Sequence, residues 1–155
     1  MTGPTKRQAD VPAPDAFWLA LSGGADLRTL DRIECLDCLP AKQVGRLGYV
    51  TDDGPRIVPL NYTTTPDSIV LRTMANGEIA RFAIDRRVAF EIDDIDEFRQ
   101  TGWSILVVGT AKLVSVEDLK RILYVGAPEP WPGGPRTLFL QIPLTAVTGR
   151  QVMAT

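Results

Sequence analysis

The run VGRLGYVTDDGPRIVPLNYTTTPDSIVLRT, from Val44 to Thr73, decides the architecture. Three β-rich segments, Val44 to Thr51, Arg56 to Tyr62 and Ser68 to Thr73, are separated by Asp52-Asp53-Gly54 and by Thr65-Pro66-Asp67, residues that favour tight turns. Connections this short cannot hold the crossover that parallel neighbours require. The three segments therefore predict an antiparallel meander.

Upstream, Asp31 is placed to cap a helix over Arg32 to Leu39, with Glu34 at its third position and Pro40 closing it. Downstream, Ile79, Phe82 and Ala83 give Glu78 to Ile84 a helical period, and Val88 to Asp93 reads as a strand. An acidic loop, Asp93 to Glu97, precedes a long strand from Trp103 to Val114 in which Gly109 marks a bend or bulge. A helix over Glu117 to Tyr124, a proline and glycine loop from Pro128 to Pro135 containing Trp131, and strands at Leu138 to Ile142 and Thr145 to Val152 complete the pattern. Antiparallel strands with a few short marginal helices predict a mainly β fold, an antiparallel split β-barrel, because closure removes exposed sheet edges.

The first 28 residues read as a flexible extension and 29–155 as the folded domain. Pro4, Pro12 and Pro14 lie among mixed charges, followed by a short apolar cluster, Phe17 to Leu21, that ends at Ser22-Gly23-Gly24.

At 155 residues and 45% apolar content, the chain supports one core. A net charge of -2 and a pI near 5.1 give no positive field for a nucleic acid or an anionic membrane surface. No apolar run approaches the roughly 20 residues that cross a bilayer, and the N-terminus lacks a signal-peptide core, so a cytoplasmic location is expected. With no histidine, imidazole chemistry is excluded, whether as general base, haem ligand or zinc ligand. Redox or group-transfer chemistry would then fall to a cofactor. Cys35 and Cys38 form a CxxC, but no second ligand pair follows and both sit on the apolar face of the first helix, which reads as core with no metal site.

The runs GRLGYV from Gly45, RIVPLNY from Arg56, VLRT from Val70, RVAFEID from Arg87, GWSILVVG from Gly102 and VTGR from Val147 stand in an order and at a spacing that resemble the pyridoxamine 5'-phosphate oxidase-like split-barrel family. More narrowly they resemble its nitroimidazole-resistance-type flavoproteins. The resemblance spans about residues 30 to 152. It implies a homodimer of packed barrels with FMN in a groove at their interface.

On that resemblance, Val58, Pro59, Leu60, Asn61 and Tyr62 lie along the isoalloxazine ring, and backbone groups with the Asn61 amide reach its polar edge. Arg72 and Thr73, at a strand end, would hold the phosphate, although Arg72 taken alone reads first as a surface ion pair, with Glu78 for instance, and only the resemblance turns it toward the phosphate. Trp103 and Ser104 approach the ring from the partner subunit, Trp103 as a wall and Ser104 as a hydrogen-bonding hydroxyl. Arg150 is a further candidate for an anionic group. One position departs from the pattern. Relatives place Lys where Glu78 stands, which weakens the phosphate site, while Asn76 and Gly77 offer side-chain or backbone N–H groups in compensation.

Three readings follow. The first is an FMN oxidoreductase passing hydride from a reduced nicotinamide to a small electron-poor acceptor, with Tyr62 or Ser104 as proton donors. The second uses the deazaflavin F420, its anionic tail meeting Arg150 and Arg81, Arg86 and Arg87, the last three of which also read as a solvated face. The third is a non-catalytic dimeric binding protein that has lost the phosphate site.

Overall fold

The computed structural model describes residues 26–153. The Phe17 to Leu21 cluster and most of the expected extension lie outside the described residues. β2 (Val44–Thr51), β3 (Gly54–Thr64) and β4 (Ser68–Thr73) form the expected antiparallel meander, with Val44 opposite Asn61 and Tyr62 opposite Leu71. β3 changes neighbours along its length: residues 54–61 pair with β2, and 62–64 pair with β4. It therefore belongs to two sheets.

The first sheet runs β1 (Asp26–Leu30), β9 (Ala146–Met153), β6 (Thr101–Thr110), β5 (Arg87–Asp96), β2 and the start of β3; the second runs from the end of β3 through β4 and β8 (Leu138–Pro143) to β7 (Lys112–Leu113). Every pairing is antiparallel. Gly109 of β6 meets β8, where an added Cβ would stand 3.2 Å from both Ile142 Cγ2 and Pro143 Cδ. The bare Cα lets β6 approach β8 closely at that position.

The alternation along β2 explains the sheet's two faces. Leu47 and Tyr49 point into the core while Arg46 and Val50 face outward. Phe90, Ile105, Val107 and Ile142, at 0% exposure, fill the interior around Leu47.

α1 (Arg32–Cys38) starts as expected. The Asp31 carboxylate accepts from the Glu34 N–H at 2.9 Å, and the Glu34 carboxylate accepts from the Asp31 N–H at 2.8 Å. Asp31→Ala is expected to lower the unfolding free energy by about 1 kcal/mol, read from urea denaturation, with the denaturant slope unchanged. α1 packs so closely on β9 that a Cβ at Gly149 would stand 2.6 Å from Cys35 Sγ. Both thiols are free and burial pushes both of them up, so they remain protonated, with Cys35 inside the core and Cys38 against it. α2 (Glu78–Ala83) lies over β2, and α3 (Val116–Val125) ends at Gly126, whose φ is 127°. No described helix is long and apolar enough to cross a membrane.

Three expectations are corrected. β1 adds a strand and takes in Asp26, Leu27 and Arg28, so the sheet begins before the boundary at 29. Its side chains up to Thr29 are exposed, which leaves no apolar alternation to read. The acidic segment is not a loop, because β5 extends through Asp96, paired with Thr101. Its acids are balanced across the sheet, with Arg46 Nη1 2.9 Å from Asp93 and Lys42 Nζ 2.7 Å from Asp94. The long strand Trp103 to Val114 is two strands, broken at Ala111, whose N–H and carbonyl bond to Arg86 and Asp85 instead of to a strand.

Candidate functional site

The residues singled out in the sequence fall into three groups. On β3, Val58 and Leu60 pack against the core, and Tyr62 lies within it at 4% exposure, edge-on to Phe90 with ring centroids 5.3 Å apart. The Tyr62 hydroxyl donates to the Leu39 carbonyl, and burial pushes its phenol up to about 12. It is a core hydroxyl, not a proton donor facing a ligand. Pro59 and Asn61 take the other side of the strand. Residues 54–61 have a strand on one edge only among the described residues, and Pro55 and Pro59 fit that unpaired edge because proline lacks a ladder donor.

Around the end of β4, Arg72 does not meet Glu78. Its Nε and Nη2 donate to the Arg136 carbonyl at 3.1 and 2.9 Å, its Nη1 donates to the Pro128 carbonyl at 3.4 Å, and its guanidinium lies 4.9 Å from the Phe139 ring centre. Asn61 holds the same loop from the adjacent strand, its Oδ1 accepting from the Trp131 N–H at 2.9 Å. Asn61 and Arg72 thus pin the proline and glycine segment, and a cleft of about 320 Å³ bounded by Tyr62, Thr63, Pro128 and Trp131 lies beside them. Thr73 is buried and Asn76 exposed, and the Gly77 N–H already donates to the Met74 carbonyl at 3.1 Å. Glu78 accepts a hydrogen bond of 2.6 Å from the Tyr49 hydroxyl and lies 3.9 Å from Arg56 Nε. Burial first, and then this bond, push the Tyr49 phenol up to about 12. The carboxylate is tied back to the barrel wall and partly offset by a guanidinium.

The third group converges. Ser104 and Arg150 stand opposite each other on β6 and β9, and Arg150 Nε donates to Ser104 Oγ at 3.4 Å. With Trp103 they line a cleft of about 460 Å³ whose other walls include Leu27, Ile95 and Val152. A second hollow, of about 440 Å³, shares Ser104 and Arg150 and adds Glu91, Leu106 and Thr148. Burial, with Asp93 nearby, pushes the Glu91 carboxyl up, while Arg46 at 3.1 Å opposes the shift. Arg150 has no carboxylate partner among the described residues, so its charge is available to a ligand.

Ser104 on β6 and Asn61 on β3 are three inter-strand steps apart, about 14 Å across the sheet. The first two groups therefore do not converge with the third within one protomer. The apolar walls from Leu27 and Val152 escaped the sequence reading, Leu27 because its strand shows no alternation.

The chain is similar to several known proteins. The pyridoxamine 5'-phosphate oxidase family profile matches residues 31–151. An uncharacterized protein of Mycobacterium tuberculosis is 31% identical over 134 residues, covering 81% of this chain and 85% of that protein. Among solved structures, an FAD binding protein from Mycobacterium smegmatis is 30% identical with a TM-score of 0.68, covering 80% of this chain and 97% of that one. An FAD-binding protein from Mesorhizobium loti, 24% identical with a TM-score of 0.64 over 81% of this chain and 98% of that one, shares the fold. The family profile covers most of the chain, and the barrel it presupposes is the barrel described above: this protein belongs to the pyridoxamine 5'-phosphate oxidase family.

Proposed function

We propose that the chain binds the flavin mononucleotide unit, as FMN or as the corresponding half of FAD, between two copies of itself and acts as an oxidoreductase. The observation that carries this is the Trp103–Ser104–Arg150 cleft. Its walls are largely apolar, and its polar side chains are the Thr101 and Ser104 hydroxyls, the Gln100 amide and the Arg150 guanidinium, which has no carboxylate partner among the described residues, a lining suited to a flat ring with polar or anionic substituents. The similar proteins described as FAD-binding support the same reading.

The second copy answers the separation of the groups. The outer face of the first sheet leaves Ile57 74%, Ile95 64% and Leu106 39% exposed, an apolar surface suited to covering by its own twin. Packed that way, the cleft of one protomer can face the unpaired β3 edge of the other. That edge offers main-chain groups to the polar rim of the ring, and the Arg72–Thr73 strand end lies toward the phosphate. Trp103 walls the ring from water, while Ser104 and Arg150 orient its substituents.

A bound flavin would supply two-electron chemistry, from a reduced nicotinamide to a small electron-poor acceptor. The protein's part is to bind, orient and exclude water.

Purified protein is expected to carry or take up a flavin, seen in its visible spectrum and identified by mass after release. It is also expected to sediment as a dimer. Ser104→Ala combined with Arg150→Gln should weaken flavin binding by at least about tenfold. Protein that shows no flavin band and takes up neither FMN nor FAD on titration removes the proposal, and preferential uptake of F420 replaces it with the deazaflavin reading.

A further inference from the structure

Among the described residues, the cations are mostly spoken for. Arg28, Lys42, Arg46, Arg56, Arg99, Lys112 and Arg121 each lie within 4.0 Å of a carboxylate, and Arg32, Arg72, Arg136 and Arg150 donate to neutral oxygens. Among the described residues, Arg81, Arg86, Arg87 and Lys120 remain without an ion-pair or hydrogen-bond partner for the side chain. Three of these four line one cleft of about 500 Å³, together with Val50, Thr51, Asp52 and Phe82. In an acidic chain, that is a local concentration of uncompensated positive charge.

The local backbone keeps it so. The turn that carries Arg86 is held on both sides: the Asp85 N–H donates to the Ala111 carbonyl at 2.8 Å, the Arg86 N–H to the Ala83 carbonyl at 3.1 Å, and the Ala111 N–H to the Arg86 carbonyl at 3.0 Å. Asp85 takes a φ of 59°, and its carboxylate pairs with Lys112 Nζ at 2.7 Å. The carboxylate next to Arg86 in sequence is thereby committed elsewhere. Asp52 is the one carboxylate on the cleft wall.

Arg81, one turn along α2, lies 5.0 Å from the Phe82 ring centre. A guanidinium stacked on an aromatic ring presents a flat platform of the kind on which nucleobases stack. Guanidinium groups also match phosphate oxygens two at a time. The volume is in the range of small-ligand pockets.

We propose that this cleft binds the diphosphate of a nucleotide, with Arg86 and Arg87 on the phosphates and the Arg81–Phe82 pair beneath the base. This chemistry occurs in the adenosine diphosphate half of FAD, in that of a nicotinamide dinucleotide, and in a free nucleotide. The site does not depend on the flavin proposal, because ADP alone should occupy it.

The test is calorimetric titration of the full-length protein with ADP and with inorganic pyrophosphate, at low and at moderate salt. Both are expected to bind and to weaken as salt rises. Arg81→Gln, Arg86→Gln and Arg87→Gln combined should weaken ADP binding by at least about a hundredfold, while Lys120→Gln leaves it unchanged. All three arginines are exposed, so the thermal midpoint without ligand should stay close to that of the parent. Absence of ADP binding, or equal ADP binding by the triple variant, overturns the proposal.

The same triple variant separates the sources. Lower affinity for FAD but not FMN assigns the cleft to the flavin's own diphosphate. Lower affinity for NADH but not for reduced nicotinamide mononucleotide assigns it to the electron donor. Loss of ADP binding with neither change assigns it to a free nucleotide.

Discussion

Glu78→Lys protein is expected to bind FMN about thirtyfold more tightly than the parent. A carboxylate near a phosphate costs on the order of 1 kcal/mol at a partly solvated site, and reversing its sign doubles the difference to about 2 kcal/mol. The substitution removes the acceptor of the 2.6 Å bond from the Tyr49 hydroxyl and frees Arg56, a second cation beside the same edge. Riboflavin, which has no phosphate, is the control and should bind both proteins alike. Quenching of flavin fluorescence on titration gives both affinities. Equal FMN affinity in the two proteins would show that the phosphate does not lie beside residue 78.

Phe90→Ala is expected to lower the unfolding free energy by about 3–5 kcal/mol, measured by urea denaturation followed by tryptophan fluorescence. The ring is fully buried and meets Tyr62 edge-on at 5.3 Å. On one side it lies against bare backbone: a Cβ at Gly45 would stand 2.5 Å from Phe90 Cε1 and Cζ, so no side chain stands on that side to relax into the void. Against a typical total of about 5–15 kcal/mol, the loss leaves a marginal domain. A cost below about 1 kcal/mol would contradict the close packing of β2 on β5.

The meander and the barrel were legible in the sequence because β2, β5 and β6 bury alternate residues and the turns between β2, β3 and β4 carry Asp-Gly and Pro-Asp. The six runs quoted for the family likewise fall within the span matched by its profile, residues 31–151. β1 was not legible, since a strand that buries only its last residue is held by main-chain bonds to β9 and leaves no pattern in its side chains.

The site was legible in part. Ser104 and Arg150, 46 residues apart in sequence, were named as separate candidates, and it is the pairing of β6 with β9 that brings them together. Arg72 was read as an anion grip or as a partner of Glu78, and the carbonyls it holds instead come from a loop more than fifty residues away. Carbonyl acceptors are common to every residue type, so no local sequence signal marks them. The same limit applies to the arginine cleft, where the deciding fact is the pairing of Asp85 with Lys112 across 27 residues.

The loop held by Asn61 and Arg72 behaves as a tethered competitor for those two side chains. A ligand bidding for the Arg72 guanidinium would compete with the carbonyls of Arg136 and Pro128, which are always present at the effective concentration set by the intervening chain. Its measured affinity is the net of that exchange, and by reciprocity a tightly held ligand loosens the Trp131 segment while a clamped segment weakens the ligand. Were the strand end to take an anion, residues 126–136 would set a threshold: weak anions that fail to outbid the carbonyls would leave the segment clamped.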